Sequence, residues 1–272
     1  MAYSLSWLAE VLEDAGLRVA EQPGWRTRGR GDVGPPRGVM IHQTGAPMIG
    51  NAPSLGVVTE GREGLAGPLA QLCLGRDGTF YVVAAGRANH AGEGAWQGVT
   101  TGNSSFIAIQ VEHFSGEAEE PWPDVQLEAL SRGAAAILKR LNADPRLCCG
   151  HKEYAQPQGR VNDPGLDMDE VRQAIGAVMA GEAPPMSLIL PRDPYDRPTL
   201  RRGDKGEDVA AFQKALKLKP DGVFSGHTEA TVRAFQRKKG LVADGIVGPK
   251  TWAAAAPAAA PALQLARLAQ AG

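Results

Sequence analysis

Residues 39–44 read Val-Met-Ile-His-Gln-Thr, a buried-strand pattern that ends in a histidine. Residues 150–165 begin Gly-His-Lys-Glu-Tyr and end Asp-Pro-Gly, which supplies a second histidine and a carboxylate. Zinc in hydrolases usually takes three protein ligands from His, Asp, Glu or Cys, and keeps a fourth position for a water whose pKa falls to about 7. His42, His151 and Asp163 fit that count. Singly, each has a plainer interpretation, because a lone histidine is more often packed and Asp-Pro-Gly is more often a turn.

Strand and helix patterns alternate around these two stretches. Helical spacing of Ala and Leu predicts a helix over residues 126–141, and Gly-Arg-Asp-Gly at 75–78 predicts a hairpin turn. Short apolar runs predict strands at 38–42, 69–74, 79–84 and 106–111. We therefore expect an α/β fold, with a mixed central β-sheet flanked by helices. His42 at the end of one strand and His151 just past another, led in by the pair Cys148-Cys149, would both be held by a rigid sheet.

Composition sets the outer limits on function. A length of 272 residues suggests two domains at about 150 residues each. A net charge of −1 gives no electrostatic attraction to nucleic acid or to an anionic membrane, so neither is an expected partner. The three cysteines are an odd count and imply no disulfide framework. We expect a monomer.

The first residues predict an amphipathic helix rather than a targeting segment. The spacing is helical between Ser4, a plausible N-cap, and Gly16, a helix stop, with the apolar residues Leu5, Leu8, Val11, Leu12 and Ala15. Acidic residues interrupt this segment, so it does not have the apolar core of a secretory signal. No stretch approaches the roughly 18–20 apolar residues of a membrane span. We expect synthesis in the cytoplasm without a signal peptide and no membrane insertion.

An internal repeat indicates a second domain. Residues 221–228 and 244–251 share the frame Asp-Gly-apolar-apolar…Thr, and each threonine precedes a helical stretch. The pattern predicts a small all-α domain of three short helices at 200–255. The expected catalytic domain covers 1–180, a proline-rich linker covers 181–199, and an Ala/Pro-rich tail covers 256–272. Residues 187–190 are apolar enough that they could dock on the catalytic domain instead.

Five motifs together resemble one enzyme family. They are Ile-His-Gln-Thr at 41–44, Arg-Asp-Gly-Thr at 76–79, Asn-His-Ala-Gly at 89–92, Ser-Phe-Ile-Ala-Ile at 105–109, and Gly-His…Asp-Pro-Gly at 150–165. In this order they resemble the zinc-dependent N-acetylmuramoyl-L-alanine amidases, which include phage endolysins and peptidoglycan-recognition proteins. Residues 200–252 similarly resemble the peptidoglycan-binding domain found on wall hydrolases, with a departure at Ser-Gly-His, 225–227.

The resemblance implies a set of roles. It implies a Zn²⁺ cofactor on His42, His151 and Asp163, and bacterial peptidoglycan as the partner. His90 and Asn89 belong to a motif that borders the substrate groove in this family, and Thr44 is assigned to substrate binding with them, although a turn-stabilising hydrogen bond is an equal interpretation of His90. The implied reaction is zinc-assisted hydrolysis of the amide between N-acetylmuramic acid and L-alanine. The protein would reach the cell wall after release by another factor.

The catalytic set departs from the family pattern. The usual Glu of Ile-Gly-Ile-Glu is Gln110, whose amide cannot take a proton, and the usual Lys before the third ligand is Val161. A tyrosine of some relatives is Ala70. Glu112 could replace the base, since it lies on the same strand face as Gln110, and Arg160 could supply the positive charge. The plainer interpretation of Glu112 is an exposed carboxylate at the end of a strand.

Two functions from different classes fit these observations. The intact ligand set favours an enzyme, held on its insoluble substrate by the C-terminal domain. The replacements at Gln110 and Val161 favour a degenerate, zinc-containing protein that binds muropeptide without turnover. A cytosolic recycling amidase is less consistent, because a soluble fragment needs no wall anchor.

Overall fold

The structure, a computed structural model, describes residues 3–45, 50–114, 122–156, 163–183, 197–241 and 243–255. The chain divides into two compact units, Met1–Leu188 and Ile189–Gly272. The predicted tail and most of the predicted linker, including 187–190, lie outside the described residues, so the predicted domain boundaries stay a prediction. No helix in the described ranges has the length and apolar character that crossing a bilayer requires.

The first unit has eight strands: β1 (Arg18–Glu21), β2 (Gly38–Gln43), β3 (Gly61–Arg62), β4 (Leu65–Ala66), β5 (Leu72–Leu74), β6 (Thr79–Val82), β7 (Phe106–Val111) and β8 (Cys148–Gly150). Six of them form a sheet in the order β1-β6-β5-β7-β2-β8, and β3 pairs with β4 in a separate two-stranded ribbon. Its helices are α1 (Leu8–Asp14), α2 (Leu55–Glu60), α3 (Gly102–Ser105), α4 (Asp124–Leu141), α5 (His151–Tyr154) and α6 (Met168–Ala180), with 3₁₀ turns at Trp25–Thr27 and Pro145–Leu147.

The sheet is mixed, as predicted. Only β5 and β6 pair antiparallel, while the other neighbouring pairs in the sheet are parallel. The predicted hairpin joins β5 to β6, where the N–H of Gly78 donates to the carbonyl of Gly75 at 3.0 Å. Gly78 has a φ of 78°, a left-handed conformation that glycine adopts without steric cost.

Alternation along the strands separates two apolar clusters. Val39 and Ile41 of β2 point into the main core, together with Ile107 and Ile109 of β7 and residues of α1, α4 and α6. Met40 points the other way, into a smaller cluster with Phe106 and Tyr154. The histidine at position 42 shares the face of Met40, since side chains alternate along a strand. The sheet therefore carries its polar site on the face opposite the main core.

The N-terminal helix is shorter than predicted. It begins at Leu8, and Ser4 does not cap it: the Ser4 hydroxyl donates instead to Asp32 Oδ1 at 2.6 Å. A carboxylate is a stronger acceptor than a neutral group, so the hydroxyl is engaged by this contact. The predicted stop holds, because Gly16 takes a φ of 74° just after the helix. Of the predicted stripe, Leu5, Leu8 and Leu12 are buried, whereas Val11 is half-buried and Ala15 is exposed.

The second unit has three helices in its described residues, α7 (Glu207–Ala215), α8 (Gly226–Lys238) and α9 (Pro249–Ala255), as predicted. Phe212, Phe224 and Trp252 lie in its core. At the departure from the family pattern, the Ser225 hydroxyl accepts from the N–H of Thr228 at 3.3 Å and caps α8. The substitution therefore keeps a helix start at this position.

The repeat in the second unit is a repeated hydrogen-bond arrangement, which we call the glutamine latch. Gln213 donates to Asp221 Oδ1 at 2.7 Å and accepts from the N–H of Gly222 at 2.9 Å. Gln236 donates to Asp244 Oδ1 at 2.7 Å and accepts from the N–H of Gly245 at 2.9 Å. Each glutamine also donates to the threonine that ends its repeat, Thr228 or Thr251, at 3.2 Å. Each latch thus fastens one Asp-Gly turn to the helix before it.

Candidate metal centre

The two predicted histidine ligands enter the site from neighbouring strands. His42 lies near the end of β2, and His151 is the first residue of α5, directly after β8. Because β2 pairs with β8, the two rings lie beside each other, with centroids 4.6 Å apart. Both side chains are almost completely buried. The sheet therefore fixes the separation of the two imidazoles.

Asp163 completes the cluster and is tied to the same two elements. Its Oδ1 accepts from the N–H of Gln43 at 2.9 Å, and its carbonyl accepts from the N–H of Lys152 at 2.6 Å. Its Oδ2 lies 2.7 Å from His151 Nδ1 and 3.7 Å from His42 Nδ1. The ligand atoms of the three residues all lie within 4.8 Å of one another. The structure therefore brings the three predicted ligands together in a group that could hold a metal ion.

The outer nitrogens of both rings have partners of their own. His151 Nε2 lies 2.9 Å from the carbonyl of Ala91, which can only accept, so Nε2 carries the proton. His42 Nε2 lies 3.1 Å from His90 Nδ1. The Nδ1 atoms of both rings face Asp163. A bare ring nitrogen and a carboxylate oxygen at this distance need a cation between them, which is either a proton or a metal ion. Two imidazole nitrogens and a carboxylate oxygen are a donor set that catalytic zinc takes, so the residues fit the metal.

The electrostatics of the cluster follow from its burial. Burial raises the pKa of Asp163, but the hydrogen bond with His151, the nearby charge of His42 and the hydrogen bond from the N–H of Gln43 outweigh it and hold that pKa below its ordinary value. Burial, with the nearby charges of His42 and His151, holds the pKa of His90 well below its usual range. These shifts favour an ionised Asp163 and a neutral His90, and an ionised carboxylate is the form in which Asp binds a metal.

The base candidates occupy different surroundings. Gln110 of β7 is in register with His42, so its half-buried side chain lies on the same face of the sheet beside that ligand. Glu112 is fully buried, which contradicts its interpretation as an exposed carboxylate. Its two oxygens accept from the Thr44 hydroxyl at 2.9 Å and from the N–H of Ser54 at 2.7 Å. Burial raises the pKa of Glu112. Its catalytic role stays a prediction.

The other predicted residues differ in how they relate to the cluster. His90 touches it directly through His42. Asn89 donates from its side chain to the carbonyl of Ala66 in β4 at 2.9 Å, and Thr44 contacts Glu112, so in this structure both hold neighbouring segments. The substrate contacts of these two residues stay a prediction. Arg160 and Val161 lie outside the described residues.

The paired cysteines are not part of the cluster. Cys148 and Cys149 lie in β8 as predicted and are buried as free thiols. Burial raises the pKa of Cys148 to about 12 and also raises that of Cys149. Thiols that stay protonated at neutral pH are poor metal ligands.

Sequence reasoning missed Asn103, whose Oδ1 accepts from the N–H groups of both His90 and Ala91 at 2.8 Å. It also missed Tyr154, whose hydroxyl accepts from the N–H of Gly102 at 2.9 Å. Both side chains contact backbone groups of a loop. Contacts of this kind leave no pattern of residue types in the sequence, so no signal pointed to them.

Parts of both units match known protein families. Residues 32–166 match the family described as N-acetylmuramoyl-L-alanine amidase, and residues 205–255 match a peptidoglycan binding domain. A spore cortex-lytic enzyme of Bacillus cereus is 41% identical over 63 residues, which are 21% of this chain and 24% of that protein. The chain thus spans about a quarter of the length of that curated relative.

Two solved structures are similar to parts of this chain. A Burkholderia AP3 phage endolysin is 43% identical over 23% of this chain and 26% of that chain, with a TM-score of 0.22. The endolysin N-acetylmuramoyl-L-alanine amidase LysCS from Clostridium intestinale is 19% identical over 58% of this chain and 95% of that chain, with a TM-score of 0.39.

Proposed function

Because residues 32–166 belong to the N-acetylmuramoyl-L-alanine amidase family and residues 205–255 to the peptidoglycan-binding domains, we propose that the protein is a peptidoglycan hydrolase. It cleaves the amide bond between N-acetylmuramic acid and the L-alanine of the stem peptide. Its site of action is the bacterial cell wall, which it reaches after release by another factor, and the C-terminal unit holds it there. The observation that carries this proposal is the cluster of His42, His151 and Asp163 inside the amidase-family domain.

The metal of this proposal is zinc, held by His42 Nδ1, His151 Nδ1 and a carboxylate oxygen of Asp163. A zinc ion bound there would polarise the scissile carbonyl and lower the pKa of a water molecule to about 7. The protein's own part is to orient the ring of His151 and the carboxylate of Asp163. The contacts of His151 Nε2 with the Ala91 carbonyl and of Asp163 Oδ1 with the Gln43 N–H serve that purpose.

Gln110 takes a binding role in this proposal. Its amide cannot accept a proton, but it can donate a hydrogen bond to an oxygen of the substrate from its place beside His42. Hydrogen-bond donors aimed at developing negative charge stabilise the transition state of acyl transfer. Gln110 therefore contributes to orientation and charge stabilisation, while Glu112 is the candidate for proton transfer and Arg160 is the candidate for the supporting positive charge.

A second function, binding of muropeptide without turnover, is favoured by one observation. An amide, Gln110, stands beside the cluster where a carboxylate base would be expected, and general base catalysis contributes about two to four decades of rate. The ligand cluster is common to both functions. Only an assay of product formation separates them.

The test is digestion of purified peptidoglycan, followed by chromatography of the released peptides. Zinc-loaded protein should release stems that begin with L-alanine, whereas chelated protein and His151→Ala protein should release none. Elemental analysis should find about one zinc per wild-type chain and almost none in His151→Ala. Zinc without any released stems would favour the binding function, and full zinc occupancy in both His42→Ala and His151→Ala would overturn the ligand assignment.

A further inference from the structure

One side chain fixes the loop segment that touches both imidazoles of the cluster. Asn103 Oδ1 accepts hydrogen bonds from the backbone N–H groups of His90 and Ala91, each at 2.8 Å. Because two N–H groups point at the same atom, that atom is the amide oxygen rather than the nitrogen. Asn103 thereby holds two consecutive peptide groups in one orientation.

The two residues that Asn103 holds contact different ligands. His90 Nδ1 lies 3.1 Å from His42 Nε2, and the carbonyl of Ala91 accepts from His151 Nε2 at 2.9 Å. Both imidazoles are therefore engaged at their ε nitrogens by adjacent residues of one segment. Their δ nitrogens face Asp163 Oδ2 as a result. A shift of this segment would release both rings at once.

The turn that carries Asn103 is itself fastened to the helix that carries His151. Tyr154 of α5 accepts from the N–H of Gly102 at 2.9 Å and donates to the carbonyl of Thr100 at 2.8 Å. A side chain at Gly102 would collide with Ala91 and with the Tyr154 ring, so the loop and the helix pack as closely as glycine allows. The loop cannot relax at one end without disturbing the other.

We propose that Asn103 and His90 are positioning residues for the metal: acting through the segment His90-Ala91, they fix the orientation and the proton position of both histidine ligands. This inference rests on the proposed function, which supplies the metal. Metal-binding histidines almost always donate their second N–H to a fixed acceptor, and loss of that acceptor typically weakens metal binding by about 10- to 100-fold. Here a single asparagine holds the segment that carries both partner groups, His90 Nδ1 and the carbonyl of Ala91.

The test is zinc affinity of the full-length protein, measured by competition with a chromophoric chelator. Asn103→Leu removes the acceptor oxygen and should weaken zinc binding by about 10- to 100-fold. Asn103→Asp keeps an acceptor oxygen in place and should bind zinc nearly as well as wild type. Ser104→Ala is the matched control, because Ser104 lies on the same turn but donates only to the carbonyl of Thr101, and it should leave the affinity unchanged.

A second pair of variants tests the same inference at His90, in case Asn103→Leu fails to fold. His90→Leu removes the partner of His42 Nε2, whereas His90→Asn retains an acceptor near that position. The absorption spectrum of the cobalt-loaded protein should change in the Leu variants and be restored in the Asn and Asp variants. A merely structural role would not produce that rescue.

The outcomes are distinct. Unchanged affinity and cobalt spectrum in Asn103→Leu and His90→Leu would overturn the inference, as would an equal loss in Asn103→Leu and Asn103→Asp. A wild-type protein that takes up no zinc would instead overturn the proposed function, and this inference with it.

Discussion

Glu112 is a buried carboxylate whose ionisation opposes folding. Burial raises its pKa, in spite of the hydrogen bonds from Ser54 and Thr44 that act in the other direction. The folded protein therefore binds this proton more tightly than the unfolded chain does. Stability from this group is present below the ordinary Glu pKa of about 4.3, and it is lost as the pH rises through the raised value.

We predict that Glu112→Gln flattens this pH dependence. The variant has no proton to lose at this position, and its amide can keep a hydrogen bond with both Ser54 and Thr44. Urea unfolding at a series of pH values above about 4 should show a smaller fall in the free energy of unfolding than the wild type shows. Parallel curves for the two proteins would contradict the prediction.

The same variant decides the catalytic interpretation of Glu112. A positioned general base is worth about 10² or more in rate, so Glu112→Gln should lower amidase turnover by that factor if Glu112 moves the proton. Gln110→Glu should then restore or raise turnover, without a change in zinc content. Wild-type turnover in Glu112→Gln would show that Glu112 only holds the segment that begins at Ser54.

The metal ligands of this site could be predicted from the sequence, whereas the residues that hold them in place could not. His42, His151 and Asp163 could be found because a ligand must be one of a few residue types, and the surrounding motifs resemble a known family. The role of Asn103 could not, because its oxygen binds backbone N–H groups, which every residue except proline offers. The burial of Glu112 was also missed, since the N–H group that donates to its carboxylate belongs to Ser54, which is remote in sequence.

At the scale of elements, close packing of α4 against the sheet depends on Gly133. A side chain there would collide with the ring of Phe80, which is fully buried in β6. In α6, Gly176 has no atom within 4 Å of the position that a side chain would take. Both glycines therefore lie within helices, but a side chain would collide with a neighbour at Gly133 and would meet open space at Gly176.

We predict that Gly133→Ala destabilises the protein and that Gly176→Ala stabilises it. Overpacking a core costs about 1–3 kcal/mol, which exceeds the gain in helix propensity of about 1 kcal/mol. At Gly176 only the gain remains. Thermal unfolding of the two variants should move the midpoint in opposite directions, and a shift in the same direction would refute the packing argument.

The side chains of both latch glutamines in the second unit are buried, and the amide nitrogen and amide oxygen of each are hydrogen-bonded. We predict that Gln236→Met lowers the stability of this unit by about 1–3 kcal/mol, because Asp244 and the N–H of Gly245 lose a buried partner. Gln213→Met should have a smaller effect, because Asp221 is exposed and can hydrogen-bond to water instead. Thr231→Ala in α8, which removes only an exposed hydrogen bond, should change stability by no more than about 0.5 kcal/mol. Equal effects of all three substitutions on urea unfolding would contradict the assigned role.

Element boundaries show where pattern reasoning stops. The strand predicted at 106–111 is β7 to the residue, but the strand predicted at 69–74 starts only at Leu72. The reason is that the N–H of Ala108 donates to the side-chain oxygen of Gln71 at 2.8 Å, which takes the place of a backbone acceptor in the ladder. The edge strand β1 carries too few apolar residues to be predicted, whereas the helix α6 was missed although Met168, Val171 and Ile175 recur at helical spacing.

At the scale of the whole molecule, the chain separates into units with their own apolar cores. We predict that a fragment of residues 200–255 pellets with purified sacculi, whereas a fragment of residues 1–180 retains zinc without pelleting as strongly. Heat-denatured 200–255 fragment is the control for non-specific sedimentation. If the fragment stays in the supernatant while the full chain pellets, the anchoring role is wrong.

The order of strands in the sheet has a consequence for how the protein reaches its active form. Strand β2, which lies next to the edge strand β8, pairs with β7 and β8, and both follow it only after long stretches of chain. Contacts between residues distant in sequence slow folding, whereas the latches of the second unit join residues close in sequence. The four segments that carry His42, His90, His151 and Asp163 meet only when the sheet is complete. In refolding experiments we therefore expect helical circular dichroism to recover before zinc is taken up, so that metal uptake is a kinetic marker for the last step of assembly.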